Sequence, residues 1–208
     1  MPPTKPQIHS LFATPLCVHF VPVAVEMNAE LKPLLLARTK EAVSHGQGAF
    51  AKEDFRVWGN HHAETLLAVV TDLADSLTAS RNGARVKTEW TISSRAAARV
   101  KGEYQEMTAR PGAFWAGVYF ADDGYAKSDD EALGGQCEFG DPRGPLPAMV
   151  APQLSFRIPG GKSAGFVEVI RPQSGMILLH PGWQPRGERR YEGDGQRLVI
   201  EFELTAPA

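Results

Sequence analysis

The sequence predicts a mainly β, α+β chain: an antiparallel sandwich or jelly roll with helices on one face. Three observations lead there. The 208 residues include 20 Gly and 16 Pro, a turn-rich composition that disfavours a helical bundle. Apolar residues recur at helical spacing only before residue 80. From Val86 onward the texture is short strand-like runs broken by Gly/Pro clusters every ten residues or so. An apolar fraction of 43% is ordinary for a globular protein, and the length is ample for one buried core.

The elements follow in order. Residues 10–21 read as an opening strand, with Pro15 marking an edge or bend. Asn28 is a candidate N-cap for a helix running to about His45 through Leu31, Leu34, Leu35, Ala42 and Val43, stopped by Gly46 and Gly48. A second helix, 63–79, aligns Leu66, Leu67, Val70, Leu73, Ala74 and Leu77 on one stripe before Asn82-Gly83 ends it. Strands are expected at 87–100, 113–121, 134–140, 153–158, 165–170, 175–180 and 197–205. No linker divides the chain, so 1–208 reads as one domain: strand and helices over 10–83, β core over 86–206.

A net charge of −2 and a pI near 6.3 give no electrostatic reason to expect nucleic acid or a membrane surface as partner. Cys17 and Cys137 make no disulfide framework and read as inert thiols. The start, Met1-Pro-Pro-Thr-Lys-Pro, has no apolar leader run, so the expected location is cytoplasmic. Phosphate-loop, nucleophile-elbow and zinc spacings are absent. Of six histidines, His180 ends a strand and is the best placed to face a pocket. His62-Ala63-Glu64 could offer two metal ligands, but it also reads as an ordinary first helical turn. The run Arg186–Arg190 reads as a solvated loop, and Asp141-Pro-Arg143 as a turn locked by side-chain to backbone hydrogen bonds.

Four stretches, in order and suitably spaced, resemble a small bacterial branch of the 2-oxoglutarate/Fe(II)-dependent dioxygenase superfamily. They are Leu11-Phe-Ala-Thr-Pro15; Gly102-Glu-Tyr-Gln-Glu-Met107 with Phe114-Trp-Ala-Gly-Val-Tyr-Phe120; Leu133-Gly-Gly-Gln-Cys-Glu-Phe-Gly-Asp-Pro-Arg-Gly-Pro145, with Pro147-Ala-Met149 just beyond; and 172–204, with Gly175, Pro181, Trp183, Gly193 and Arg197. The resemblance implies a double-stranded β-helix, a cupin-like jelly-roll barrel with the two N-terminal helices packed on one sheet. It also implies an iron held by two histidines and one further His or acidic ligand, with 2-oxoglutarate as cosubstrate.

Counted from Gly117, the first ligand positions fall on Thr108, Ala109 and Arg110. Counted from Trp183, the last falls on Arg186. None of these is histidine or carboxylate, and an arginine cannot deprotonate to bind a metal. Ordinary Fe(II) binding is therefore not expected. Arg197 matches the arginine that grips the distal carboxylate of 2-oxoglutarate. With Arg110, Arg186 and Arg99 it would concentrate positive charge at the barrel mouth, for a small anionic ligand such as 2-oxoglutarate, another dicarboxylate or phosphate. Arg110 and Arg186 could instead point to solvent or pair with Glu103, Glu106 or Glu188.

Three functions remain open on the sequence. The first is a degenerate, pseudoenzyme-like homologue that binds an anion. The second is an active oxygenase with a non-standard metal set drawn from His180 or His62 with Glu64, Glu106 or Glu138. The third is a metal-free enzyme using Glu106 or His180 as base. A homodimer through exposed sheet edges is also open.

Overall fold

The computed structural model describes residues 11–40, 42, 44, 46–144, 149–156 and 165–207. Strand β1 (Cys17–Phe20) leads through Pro22 into helix α1 (Ala24–Thr39). A short strand β2 (Ala49–Phe50) precedes helices α2 (Phe55–Trp58) and α3 (Asn60–Leu77). Eight strands follow: β3 (Thr91–Arg99), β4 (Gln105–Thr108), β5 (Trp115–Asp122), β6 (Cys137–Gly140), β7 (Val167–Ile170), β8 (Met176–Pro181), β9 (Arg186–Glu188) and β10 (Arg197–Thr205).

They form two antiparallel sheets, ordered β1-β8-β5-β10-β3-β2 and β4-β9-β6-β7. From β3 to β6, and again from β8 to β10, the chain passes back and forth between the sheets. This is the double-stranded β-helix that the resemblance implied. The sheets face one another without a shared strand.

Period-two alternation decides what faces what. Ala96, Ala98, Tyr119, Ile177, Leu179, Leu198 and Ile200 point outward from the large sheet. There they meet Leu31 and Leu35 of α1 and Leu66 and Val70 of α3 in one core. The intervening residues, Ala97, Val118, Phe120, Leu178 and Val199, point between the sheets against Cys137 and Phe139 of β6. The helices thus lie on one sheet, as expected. No helix among the described residues is long and apolar enough to cross a membrane.

Several expectations are corrected. Asn28 does not cap α1. The chain turns at Pro22, with the Ala24 amide donating to Val21 O at 3.1 Å, so the helix starts earlier. Asn28 is instead buried inside the helix and accepts from Tyr119 Oη at 2.7 Å. The helix ends at Thr39; Val43 and His45 lie outside the described residues, as does Ser10 of the first predicted strand. Residues 153–156 form no strand, and 157–158 lie outside the described residues.

Strands β4 and β9 were missed, and the supposed solvated loop at Arg186 is in fact β9, buried throughout. The physical reason is common to both. Their inward positions carry charged or polar side chains, so no apolar alternation marks them.

Gly117 sits mid-strand in β5, where an added Cβ would lie 2.5 Å from Leu178 O and 2.5 Å from the Phe202 ring. Replacing it with alanine should cost about 1–3 kcal/mol, the usual scale for overpacking a core. Urea unfolding of Gly117→Ala checks this, with a lowered midpoint expected.

Candidate functional site

The alternation that fills one half of the inter-sheet space with apolar groups fills the other half with charge. On β3 it brings Arg95 and Arg99 inward with Ala97, and on β10 Arg197, Glu201 and Glu203 inward with Val199. Arg197 and Arg99 are directly opposite in the antiparallel register, and both are almost wholly buried. Two like charges so placed repel, the more strongly in a low-dielectric interior. The facing sheet supplies the remedy.

Glu188 of β9 lies 3.5 Å from Arg99 Nη1, 3.6 Å from Arg197 Nη2 and 2.8 Å from Arg186 Nη2. Glu201 lies 2.6 Å from Arg99 and 3.1 Å from Arg95, with Arg110 at 3.6 Å and Arg186 at 3.9 Å. Gln105 Oε1 accepts from both Arg186 and Arg99, at 2.9 and 3.2 Å. Two carboxylates therefore hold five guanidinium groups.

Burial opposes the ionisation of both acids, but the arginines outweigh it. Arg99, Arg197 and Arg186 hold the Glu188 carboxyl below its ordinary range, and Arg99 and Arg186 bring Glu201 down to about 2.

A cavity of about 530 Å³ opens at the edge of this cluster, between the sheets and residues 51–54. Asp54 pins that wall by accepting from the Ser94 amide at 2.9 Å and Ser94 Oγ at 2.8 Å. Thr108 and Arg110, counted from Gly117, and Arg186, counted from Trp183, all line the cavity, together with Arg95, Lys52 and His180. An irregularity in the β4–β9 pairing turns both Gln105 and Thr108 toward it. Arg110 Nη1 donates to Thr108 Oγ1 at 3.0 Å, and its Nε lies 3.2 Å from Glu203.

Arg197 and Arg99 were expected at the mouth, open to an anion. Neither lines the cavity. Arg197 is 0% exposed: its Nη1 donates to Gly135 O at 2.5 Å, and the rings of Phe120, Tyr125 and Tyr191 surround it at 5.4–5.6 Å. Glu188 stands against it where the resemblance implied an external carboxylate.

Of the weaker candidates, Glu106 is exposed on the other face of β4 and does not line the cavity. Glu64 is exposed on α3, and Glu138 pairs with Arg189 at 2.6 Å. His180 is buried, and burial, reinforced by Arg186 and Arg110, takes its pKa down to about 3 against a backbone hydrogen bond to Pro181. Among the described residues Glu103 meets no arginine head group in an ion pair; it accepts from the Val100 amide at 2.8 Å. Glu201, which sequence reasoning missed, was within reach of it, since the period-two count from Arg197 passes through 201.

No family model and no curated protein matches the chain. Solved structures do. A prolyl-4-hydroxylase from Pseudomonas putida superposes with a TM-score of 0.64 at 11% identity, over 94% of this chain and 93% of that one. A Trichoplax adhaerens prolyl hydroxylase, solved with a hypoxia inducible factor peptide fragment, gives 0.61 at 12% identity, over 92% and 83%. The fold is that of the 2-oxoglutarate/Fe(II) oxygenases. HygX from Streptomyces hygroscopicus, solved with iron bound, gives 0.56 at 13% identity, over 93% and 82%.

Iron, which this oxygenase fold implies, does not fit the residues at the matching positions. Thr108 Oγ1 already accepts from Arg110, and the Arg186 guanidinium fills the space beside Gln105 and Glu188 as a cation in its own right. A divalent ion there would face two guanidinium groups, and the nearby carboxylates of Glu188 and Glu201 are already held by arginines.

Two predictions follow from this geometry. Glu188→Gln leaves Arg99 and Arg197 without their shared counter-charge and should destabilise the fold by about 3–5 kcal/mol, measured by chemical denaturation. His180 resists protonation when folded but not when unfolded, so stability falls as pH drops from about 6.5 towards about 3. Replacing His180 with Gln should remove about 2 kcal/mol of the loss between pH 7.5 and pH 5, seen as a flatter pH dependence of the urea midpoint.

Proposed function

We propose that this oxygenase-fold protein has exchanged iron and its cosubstrate for an internal arginine–glutamate lattice, and that it binds a small anion rather than oxidising a substrate. The anion, a dicarboxylate or a phosphate, sits in the cavity on Arg110, with Arg95 and Lys52 alongside and Arg186 at its floor. The observation that carries this reading is the chemistry at the ligand-matching positions, Thr108, Arg110 and Arg186, which converge on one cavity as hydroxyl and guanidinium groups.

The guanidinium groups of Arg95, Arg110 and Arg186 on the cavity wall support it. A planar guanidinium on a cavity wall suits bidentate contact with a carboxylate or phosphate. Because Arg99 and Arg197 are sealed, the exchangeable anion belongs to Arg110 at the rim, whose side chain is 27% exposed. The reading of an active oxygenase with substitute ligands gains nothing from His180, which is buried and feels the charge of Arg186 and Arg110.

Calorimetric titration of tag-free protein with phosphate, succinate and 2-oxoglutarate tests the proposal. Binding of at least one anion is expected, weakened tenfold or more in Arg110→Ala and screened by salt. Anaerobic reconstitution with Fe(II) and 2-oxoglutarate, followed by exposure to oxygen, should yield no succinate. Iron-dependent succinate formation would overturn the whole reading. Anion affinity unchanged in Arg110→Ala would overturn the assignment of the site.

A further inference from the structure

Helices α1 and α3 bring together a second set of donor groups, none of which lines the cavity between the sheets. His61 and His62 occupy the first turn of α3, directly after Asn60, whose φ of 51° marks the sharp turn out of α2. Their rings lie 3.8 Å apart between centroids, tilted by 43°. His62 is buried, and its Nε2 lies 3.3 Å from Glu30 Oε2 on α1. One donor atom from each of the three residues falls within 4.8 Å of the others.

We infer that Glu30, His61 and His62 form a binding site for a divalent transition-metal ion of the zinc class, clamping α1 to α3. Two imidazoles and a carboxylate are a borderline donor set that suits zinc, cobalt or nickel over magnesium or calcium. Metal bonds of about 2.1 Å in tetrahedral geometry place donors about 3.4 Å apart. The Glu30–His62 contact already has that spacing. The ring of His61 and the carboxylate of Glu30, whose side chain is 70% exposed, are free to rotate and close the rest.

A simple Glu30–His62 contact would explain the carboxylate but not the second imidazole set close beside the first. The positive end of α3 opposes a cation there, and Glu30, from the other helix, supplies the opposing charge. Three protein ligands leave a position for water, as in open zinc sites. The site is distinct from the iron position of the oxygenase fold, and its failure would leave the reading of the cavity untouched.

The test uses the full chain, tag-free and stripped with chelator. Calorimetry with zinc chloride should give one ion per chain. Cobalt(II) should give visible absorption bands of a four-coordinate centre, and zinc should raise the thermal midpoint. Glu30→Gln and His61→Ala alter exposed side chains, so folded protein is expected, checked by circular dichroism. Each should weaken zinc at least tenfold and abolish the cobalt bands, while Glu64→Gln on the same helix leaves both unchanged. Absence of zinc binding, or zinc affinity unchanged in Glu30→Gln and His61→Ala, would overturn the inference.

Discussion

Glu188 and Glu201 are the two groups on which the inter-sheet space depends. The register of β3 against β10 sets Arg99 and Arg197 side by side in an interior nearly closed to water, and nothing on their own sheet but Glu201 relieves the repulsion. Glu188 reaches them from the opposite sheet, so the two sheets are joined across the charged half of the sandwich by ion pairs rather than by apolar contact. Ion pairs of this kind are weak as sources of net stability, because desolvation offsets most of the attraction. Their members are nevertheless mutually dependent, since each one alone would be a buried uncompensated charge.

The same topology explains why the cavity forms where it does. Passage of the chain between the sheets brings the end of β4, the loop before β5 and the start of β9 to one edge. There it assembles Thr108, Arg110 and Arg186, with the Arg186 guanidinium held by Gln105 and Glu188. Fold similarity at 11–13% identity establishes the architecture, and activity has to be argued from the site.

Much of the architecture was legible in the sequence because the long strands alternate. Strands β3, β5, β8 and β10 and helix α3 have apolar residues at the period of their secondary structure, and each was placed to within a few residues. Strands β4 and β9 were not, since Gln105, Arg186 and Glu188 stand where an apolar residue would have announced a buried strand. The candidate site was legible in part. The spacing to Gly117 and Trp183 brought Thr108, Arg110 and Arg186 to one place, but the glutamates that neutralise them were underweighted. Glu188 appeared only as one pairing option, and Glu201 not at all.

The sequence by itself determined the two-layer β architecture and the helices on one face, because these follow from periodicity along the chain. Only the tertiary structure decided that Arg99 and Arg197 are sealed while Arg110 is open, and that Glu30 meets His62. Those outcomes depend on which side chains from distant segments share a few ångströms of space, and the Coulomb energy that selects among them is fixed by distance and burial, neither of which a linear sequence contains.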